Sequence, residues 1–202
     1  MKKPIINLNQ TCQTLNFSSI ETKIFDTEFK GTTIDCQLFD EFNGCVFKRV
    51  SFINLEAVDF IDCRFENCEL ANFQMESCLW LRVELINCKL IGLEGLGFKF
   101  DNVLFNDCSL NYCNFSESIF KQSIMHHCQI KEIYLSKITC QNFVIRDCEV
   151  ELMELFNAKL TTFDISTSMI NNILINVASI AGITCNQQQA LKLAPLLGIK
   201  IK

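Results

Sequence analysis

The stretch "VDFIDCRFENCEL" (residues 58–70) decides the reading of the whole chain. Phe60, Phe65 and Leu70 are five residues apart, and Val58, Cys63 and Cys68 each stand two places before one of them. Taken forward at the same step, the first series runs through Met75, Trp80, Leu85, Leu90, Gly95, Phe100, Phe105 and Leu110 as far as Cys185, and Gly95 is its one member without an apolar side chain. The second series continues as Phe73, Cys78, Val83 and Cys88 as far as Ile183, and neither series contains a charged residue. An amphipathic helix repeats at 3.6 residues and a half-buried strand at 2, so neither gives a period of five. Two inward residues in every five, with polar residues between them, describe a chain that turns a corner every five residues.

Before residue 58 the period persists but the frame slips. Ile24, Phe29, Ile34 and Phe39 form one frame, with Thr22, Thr27 and Thr32 at the smaller position. Phe47 and Phe52 form another, with Cys45 and Val50 before them. The slips predict bulges or small loops near 40–44 and 53–57, where extra residues would leave the wall.

Five of the cysteines, Cys68, Cys88, Cys108, Cys128 and Cys148, are spaced 20 residues apart. Zinc sites need ligands that converge tetrahedrally, with spacings such as Cys-x2-Cys, and a linear column does not converge. Disulfides between neighbouring cysteines fall within the allowed Cα separation, but parallel side chains and an odd total of 13 cysteines argue against a disulfide framework. Packing is the expectation: cysteine is a small hydrophobe that buries well.

The remaining composition narrows the function. The chain has 202 residues, 49% of them hydrophobic, enough to bury a substantial core. Its formal net charge of −5 argues against direct nucleic-acid binding, which would call for a basic face. No apolar run follows Lys2 and Lys3 to make a signal peptide, and none reaches the roughly 18 residues a membrane span needs. The expected location is the cytoplasm, with no membrane partner. No nucleophile–base pair, nucleotide-binding glycine loop or metal motif appears, so no enzyme activity, cofactor, metal or small-molecule substrate is expected. "GLEGLGF" (92–98) lacks the GxGxxG spacing, and His126 and His127 read as surface residues at a turn.

The five-residue unit resembles the pentapeptide repeat, with "VDF" (58–60), "CRF" (63–65) and "CNF" (113–115) matching its core. The resemblance covers about residues 22–185. It implies an all-β fold, a right-handed quadrilateral parallel β-helix in which four pentapeptides make one coil of 20 residues. About eight coils at roughly 4.8 Å each would give a rod of roughly 35–40 Å. Residues 1–21 are then expected to form an N-terminal cap segment. Residues 186–202 are expected to form a short C-terminal α-helix and tail, with Asn186 as N-cap, Gly198 as stop, Pro195 ending the helix early, and "GIKIK" (198–202) alternating like a strand.

Three further stretches resemble the Qnr quinolone-resistance subfamily: "CQLFDEFNGCVFKRVSF" (36–52), "NYCNFSES" (111–118) and "QQQALKLAPLLGIKI" (187–201). That resemblance implies a non-enzymatic, DNA-mimicking homodimer that binds type II topoisomerase, either DNA gyrase or topoisomerase IV. It makes Asp40, Glu41, Phe42, Asn43 and Gly44 a partner-binding loop, and Ala190, Leu191, Ala194, Leu197 and Ile199 the dimerisation segment. Unlike the subfamily, this chain has no room for a second, larger loop, because the period runs unbroken from Phe60 to Cys185. An acidic docking surface is expected from Asp147, Glu149, Glu151, Glu154 and Asp164. An alternative is a scaffolding module that docks on another protein through the outward apolar column Leu104, Ile124 and Val144.

Overall fold

A computed structural model describes residues 1–12 and 22–201. The chain winds as a parallel β-solenoid of about eight turns, closed at its C-terminal end by one short helix. Each turn has four walls. Trp80, Leu85, Leu90 and Met75 are central residues of the first, second, third and fourth walls, and all four are buried. Neighbouring turns pair in parallel: Trp80 lies over Phe60 and under Phe100, and Leu85 over Phe65 and under Phe105.

Most corners form where the second residue after a central residue adopts left-handed backbone, at φ between 48° and 63° for the non-glycine residues, while Glu132, Leu152, Thr162 and Thr167 turn without it. Asn and Asp tolerate that region best among residues with a side chain, and Asp62, Asn67, Asn72, Asn87, Asn102 and Asp107 fill such corners. Gly182 is the strictest case, since a Cβ there would collide with the backbone carbonyl of Leu160.

Inside, aromatic rings carry the packing. Phe29, Phe47 and Phe65 stack at 5.3 and 4.6 Å, and Phe100, Phe120 and Phe143 at 4.6 and 4.3 Å. Gly95 is accommodated rather than left as a void: Phe98, at the usually small position, and Phe115 fill its space, and a Cβ at Gly95 would sit 3.0 Å from Phe115 and 3.2 Å from Phe98.

The first turns differ from the expectation of bulges. Ile24 pairs with Phe42 and Phe42 with Phe60, so these turns take 18 residues, where Phe60 to Trp80 takes 20. Each early turn is therefore shortened by two residues, and nothing is inserted. The predicted loop Asp40–Gly44 is wall: Glu41–Asn43 is a strand paired on both sides, and Phe42 is fully buried against Phe47 and Phe60. The contraction falls on Cys36–Asp40, where Leu38 projects 73% exposed. In the next turn it falls on Asn54–Ala57, with Leu55 buried in place of a full fourth wall.

Both ends also depart from expectation. Residues 1–9 do not cover the end of the coil. They run back along its side as a strap, with Lys2 N–H donating to Asn102 Oδ1 (2.6 Å), Ile5 N–H to Asp62 Oδ1 (2.9 Å) and Asn9 N–H to the Asp26 carbonyl (2.8 Å). Gln10–Cys12 then pairs with Thr27–Phe29 at the first turn. Residues 13–21 of the predicted cap lie outside the described residues.

At the other end, the series breaks before Cys185: Val177–Ser179 is a 3-10 turn, with Ser179 buried in place of Ala178. With no further turn to pair against, this wall closes on itself. The helix Gln187–Leu193 is capped by Asn186 and Gln189 as a capping box. It ends before Pro195, and residues 199–201 form no strand. No helix among the described residues is long and apolar enough to cross a membrane.

Candidate functional site

Every cysteine of the 20-residue ladder is buried against the inner wall. Cys68 Sγ–H donates to the Phe47 carbonyl (3.3 Å) and Cys148 Sγ–H to the Met125 carbonyl (3.5 Å), while the Cys128 N–H donates to Cys148 Sγ (3.2 Å). Ser168 continues the column at the next turn, with its Oγ accepting from Cys148 N–H and donating to the Ile145 carbonyl. A serine fits because the position asks for a small side chain with one weak donor. No disulfide joins the cysteines among the described residues. Burial pushes the Cys36 and Cys113 thiols up to about 12 and those of Cys78 and Cys140 up to about 11, which keeps them unreactive near neutral pH.

The outer walls hold what a partner would meet. The acidic residues expected to form one surface are dispersed. Asp147 stands on the corner between the second and third walls, Glu149 and Glu151 on the third, Glu154 on the fourth and Asp164 on the second. Along the coil axis, Glu149 neighbours Gln129 and Met169, Glu154 neighbours Tyr134 and Leu174, and Asp164 neighbours Val144 and Thr184. None of these three continues an acidic column.

A different wall is anionic. The fourth wall comprises residues 72–77, 92–97, 112–117, 132–137 and 152–157, with 36–39 and 54–57 as its two shortened first turns. It carries Glu56, Glu76, Glu94, Glu117, Glu132 and Glu154 against the single cation Lys137. That balance equals the chain's whole formal charge of −5, so the other walls and ends sum to neutral. From Glu76 to Glu154 is four turns, about 19 Å. Lys137 is tied to Glu117 (2.8 Å), and Tyr134 Oη donates to Glu132 (2.8 Å), leaving Glu76 and Glu94 exposed without an ion pair. These glutamates are 15 to 23 residues apart, so only the coil register gathers them. Reading every fourth pentapeptide as one group would have exposed the signal.

The apolar column Leu104, Ile124 and Val144 is only half-buried, and its members are register neighbours on the second wall. Leu104, with Arg64, Glu84 and Ile86, lies where Met1, Lys3, Pro4 and Ile6 of the strap close one side of a groove. A second open groove, of ≈ 490 Å³, follows the third wall past Asn67, Asn87, Asp107 and His127.

The helix faces the coil through Gln189 and Leu193, both buried. Gln189 Nε2 donates to the Ile165 and Ser168 carbonyls (both 2.9 Å), and Lys192 Nζ to those of Ile170 (2.8 Å) and Asn171 (2.7 Å). These donors satisfy last-turn carbonyls that have no next turn to pair with. Of the predicted dimerisation residues, Ala190, Leu191, Leu197 and Ile199 are exposed and Ala194 is half-buried, so a single chain leaves that apolar side uncovered.

The sequence model of the family described as pentapeptide repeats (8 copies) matches residues 99–136. These are pentapeptide repeats. The pentapeptide-repeat fold extends over the chain: a trypsin-treated variant of QnrB1, a plasmid-mediated fluoroquinolone resistance protein, aligns over 99% of both chains with a TM-score of 0.51 at 19% identity. HetL, a pentapeptide-repeat protein involved in heterocyst differentiation regulation in the cyanobacterium Nostoc, aligns over 82% of this chain and 90% of its own, with a TM-score of 0.38 at 9% identity. No curated protein matches the chain.

Proposed function

We propose that this pentapeptide-repeat chain is a non-enzymatic docking rod. In this reading it acts as a homodimer and binds the DNA-contacting surface of a type II topoisomerase, DNA gyrase or topoisomerase IV. The observation that carries the reading is the fourth wall, a single rigid face with six glutamates and one lysine. A surface built to hold duplex phosphates is cationic, and its affinity for DNA depends on counterion release. A rigid face with an excess of carboxylates is attracted to such a surface by the same steering. The fold shared with QnrB1 is consistent with this, as analogy at the level of fold. Dimerisation would bury Ala190, Leu191, Ala194, Leu197 and Ile199 at the C-terminal end. Asp40–Gly44, being wall, contributes to docking only through the exposed Asp40 and the half-buried Glu41 and Asn43. In this reading the bound rod also modulates quinolone sensitivity.

The test is a gyrase supercoiling assay at several salt concentrations, with and without a quinolone. Inhibition should weaken as salt rises, and a Glu76→Gln/Glu94→Gln/Glu132→Gln variant should inhibit about tenfold more weakly. If the protein neither inhibits supercoiling nor shifts the quinolone dose, the topoisomerase reading is wrong. The outward apolar column of Ile124 and Val144 then favours a scaffold for another protein.

A further inference from the structure

The corner between the second and third walls brings together a group of side chains that the docking reading does not use. Asp107, His127 and Asp147 occupy the same left-handed corner position on three successive turns, at φ of 55°, 52° and 51°, so their side chains leave the coil in register. Beside them, Asn106, His126 and Arg146 are register neighbours on the second wall. The His126 and His127 rings stack with centroids 3.9 Å apart and planes 23° from parallel. Asp147 Oδ2 lies 3.6 Å from His126 Nε2 and 3.9 Å from His127 Nε2. One donor atom from each of the three residues lies within 4.8 Å of the others.

The hydrogen bonds around the rings fix which nitrogens are bare. The Asn106 amide Nδ2 donates to Asp107, so its Oδ1 is the atom turned to His126 Nδ1, at 2.8 Å. That oxygen can only accept, so His126 Nδ1 carries the hydrogen. In the neutral ring Nε2 then presents a lone pair. Asp107 Oδ1 stands 3.6 Å from His127 Nδ1, beyond hydrogen-bond distance but near enough to accept one after a small rotation. With His126 Nε2 bare, the two stacked rings and the Asp147 carboxylate bring three donor atoms within 4.8 Å of one another, and a small splaying of the rings turns both imidazoles toward one cation.

We propose that His126, His127 and Asp147 form a binding site for a divalent transition-metal ion, with Asn106 and Asp107 orienting the two rings. The donor set is two nitrogens and one oxygen, which suits Zn²⁺, Co²⁺, Ni²⁺ or Cu²⁺. Tetrahedral zinc with bonds of roughly 2.0–2.1 Å holds its donors about 3.4 Å apart. The observed 3.6 and 3.9 Å separations need to close by only a few tenths of an ångström. An amide or carboxylate on the far nitrogen of each histidine is the usual outer support of a metal-bound imidazole. All three ligands are at least partly exposed, so one coordination position opens to solvent, where water or a side chain of another molecule completes the shell. Arg146 is exposed and makes no ion pair, so its long stem can keep its charge clear of the site.

The experiment is calorimetric titration of Zn²⁺ into chelator-stripped full-length protein, followed by absorption spectroscopy of the Co²⁺-loaded form. One ion should bind per chain. His126→Gln and Asp147→Asn should each weaken binding at least tenfold, and Asn106→Leu about tenfold through loss of ring orientation. The cobalt spectrum should show weak metal-centred bands without sulfur-to-cobalt charge transfer, which separates this corner from the buried thiols. Thermal melts of the metal-free variants should match the parent, since the side chains removed are exposed or half-exposed. Absence of saturable binding, binding unchanged in a His126→Gln/His127→Gln variant, or a thiolate charge-transfer band would each overturn the proposal.

Discussion

A thiol at position 108 has room for its sulfur and little else: it is 2% exposed and donates to the Leu85 carbonyl. Cys108→Ala should cost about 1–2 kcal/mol, the order of one buried methylene plus a small void, and Cys108→Val a similar amount from slight overpacking, since Val83 and Val103 fill the equivalent position of the second wall. Cys108→Asp would place a carboxylate in the apolar inner wall, and its desolvation should prevent folding. Circular dichroism melts of the three variants check the order. If the alanine variant instead lost a bound metal, the packing account would be wrong. Gly95 is the converse case, a position where adding volume does harm. Gly95→Leu would drive a side chain into Phe98 and Phe115. It should destabilise by about 1–3 kcal/mol or more, whereas Gly95→Leu combined with Phe98→Ala should recover part of that loss in a denaturant melt.

The element with the most testable attachment is the N-terminal strap. Asp62 holds it at Ile5 N–H and forms a two-bond pair with Arg82 Nε and Nη2, both at 2.6 Å. Partial burial alone would raise the Asp62 carboxyl, but the Arg82 guanidinium and the Ile5 N–H together hold it below the usual carboxylate range. A carboxyl depressed in the folded chain binds its proton more readily when unfolded. Its contribution is therefore full above the unfolded value of about 3.9 and is lost as pH falls through the lower folded value. Asp62→Asn should lower stability at pH 7 by about 1.5–3 kcal/mol, the range for hydrogen bonds to a charged group. The difference from the parent should shrink below pH 4. Limited proteolysis should cut the first nine residues faster in the variant at neutral pH, and equal cutting would separate the strap from this anchor.

At the scale of the whole molecule, the uncovered apolar end and the anionic wall make separate demands. Leu197 is 51% exposed and Ile199 52%. In the proposed dimer these become buried, so Leu197→Asp should convert a dimer into a monomer by light scattering while leaving the melt of the coil nearly unchanged. A chain that is monomeric before the substitution would remove the dimer from the proposal without touching the wall. The charge-neutralised fourth wall should behave in the opposite way, keeping its oligomeric state and losing the salt dependence of topoisomerase inhibition.

The period of five, the inward pair in each repeat and the cysteine register were all legible in the amino-acid sequence, because burial leaves a mark at every inward position and tolerates no charge there. Asn186 and Gly198 marked the helix ends for a similarly local reason, through hydrogen bonds made within a turn of chain, while the reciprocal bond from Gln189 emerged only in the structure. The sign of the early frame slips was not legible. A missing pair of residues and an inserted group both shift the frame, and only pairing Ile24 with Phe42 and Phe42 with Phe60 shows that the turns are shorter. The path of residues 1–9 was also hidden, since their partners Asn102, Asp62 and Asp26 lie far along the chain in the corner column. Which residues point inward can be read from the chain alone, because the hydrophobic effect acts residue by residue. The tertiary structure alone decided what stands together outside, the fourth-wall glutamates and the His126–His127–Asp147 corner, because only winding brings residues about 20 apart to within one strand spacing.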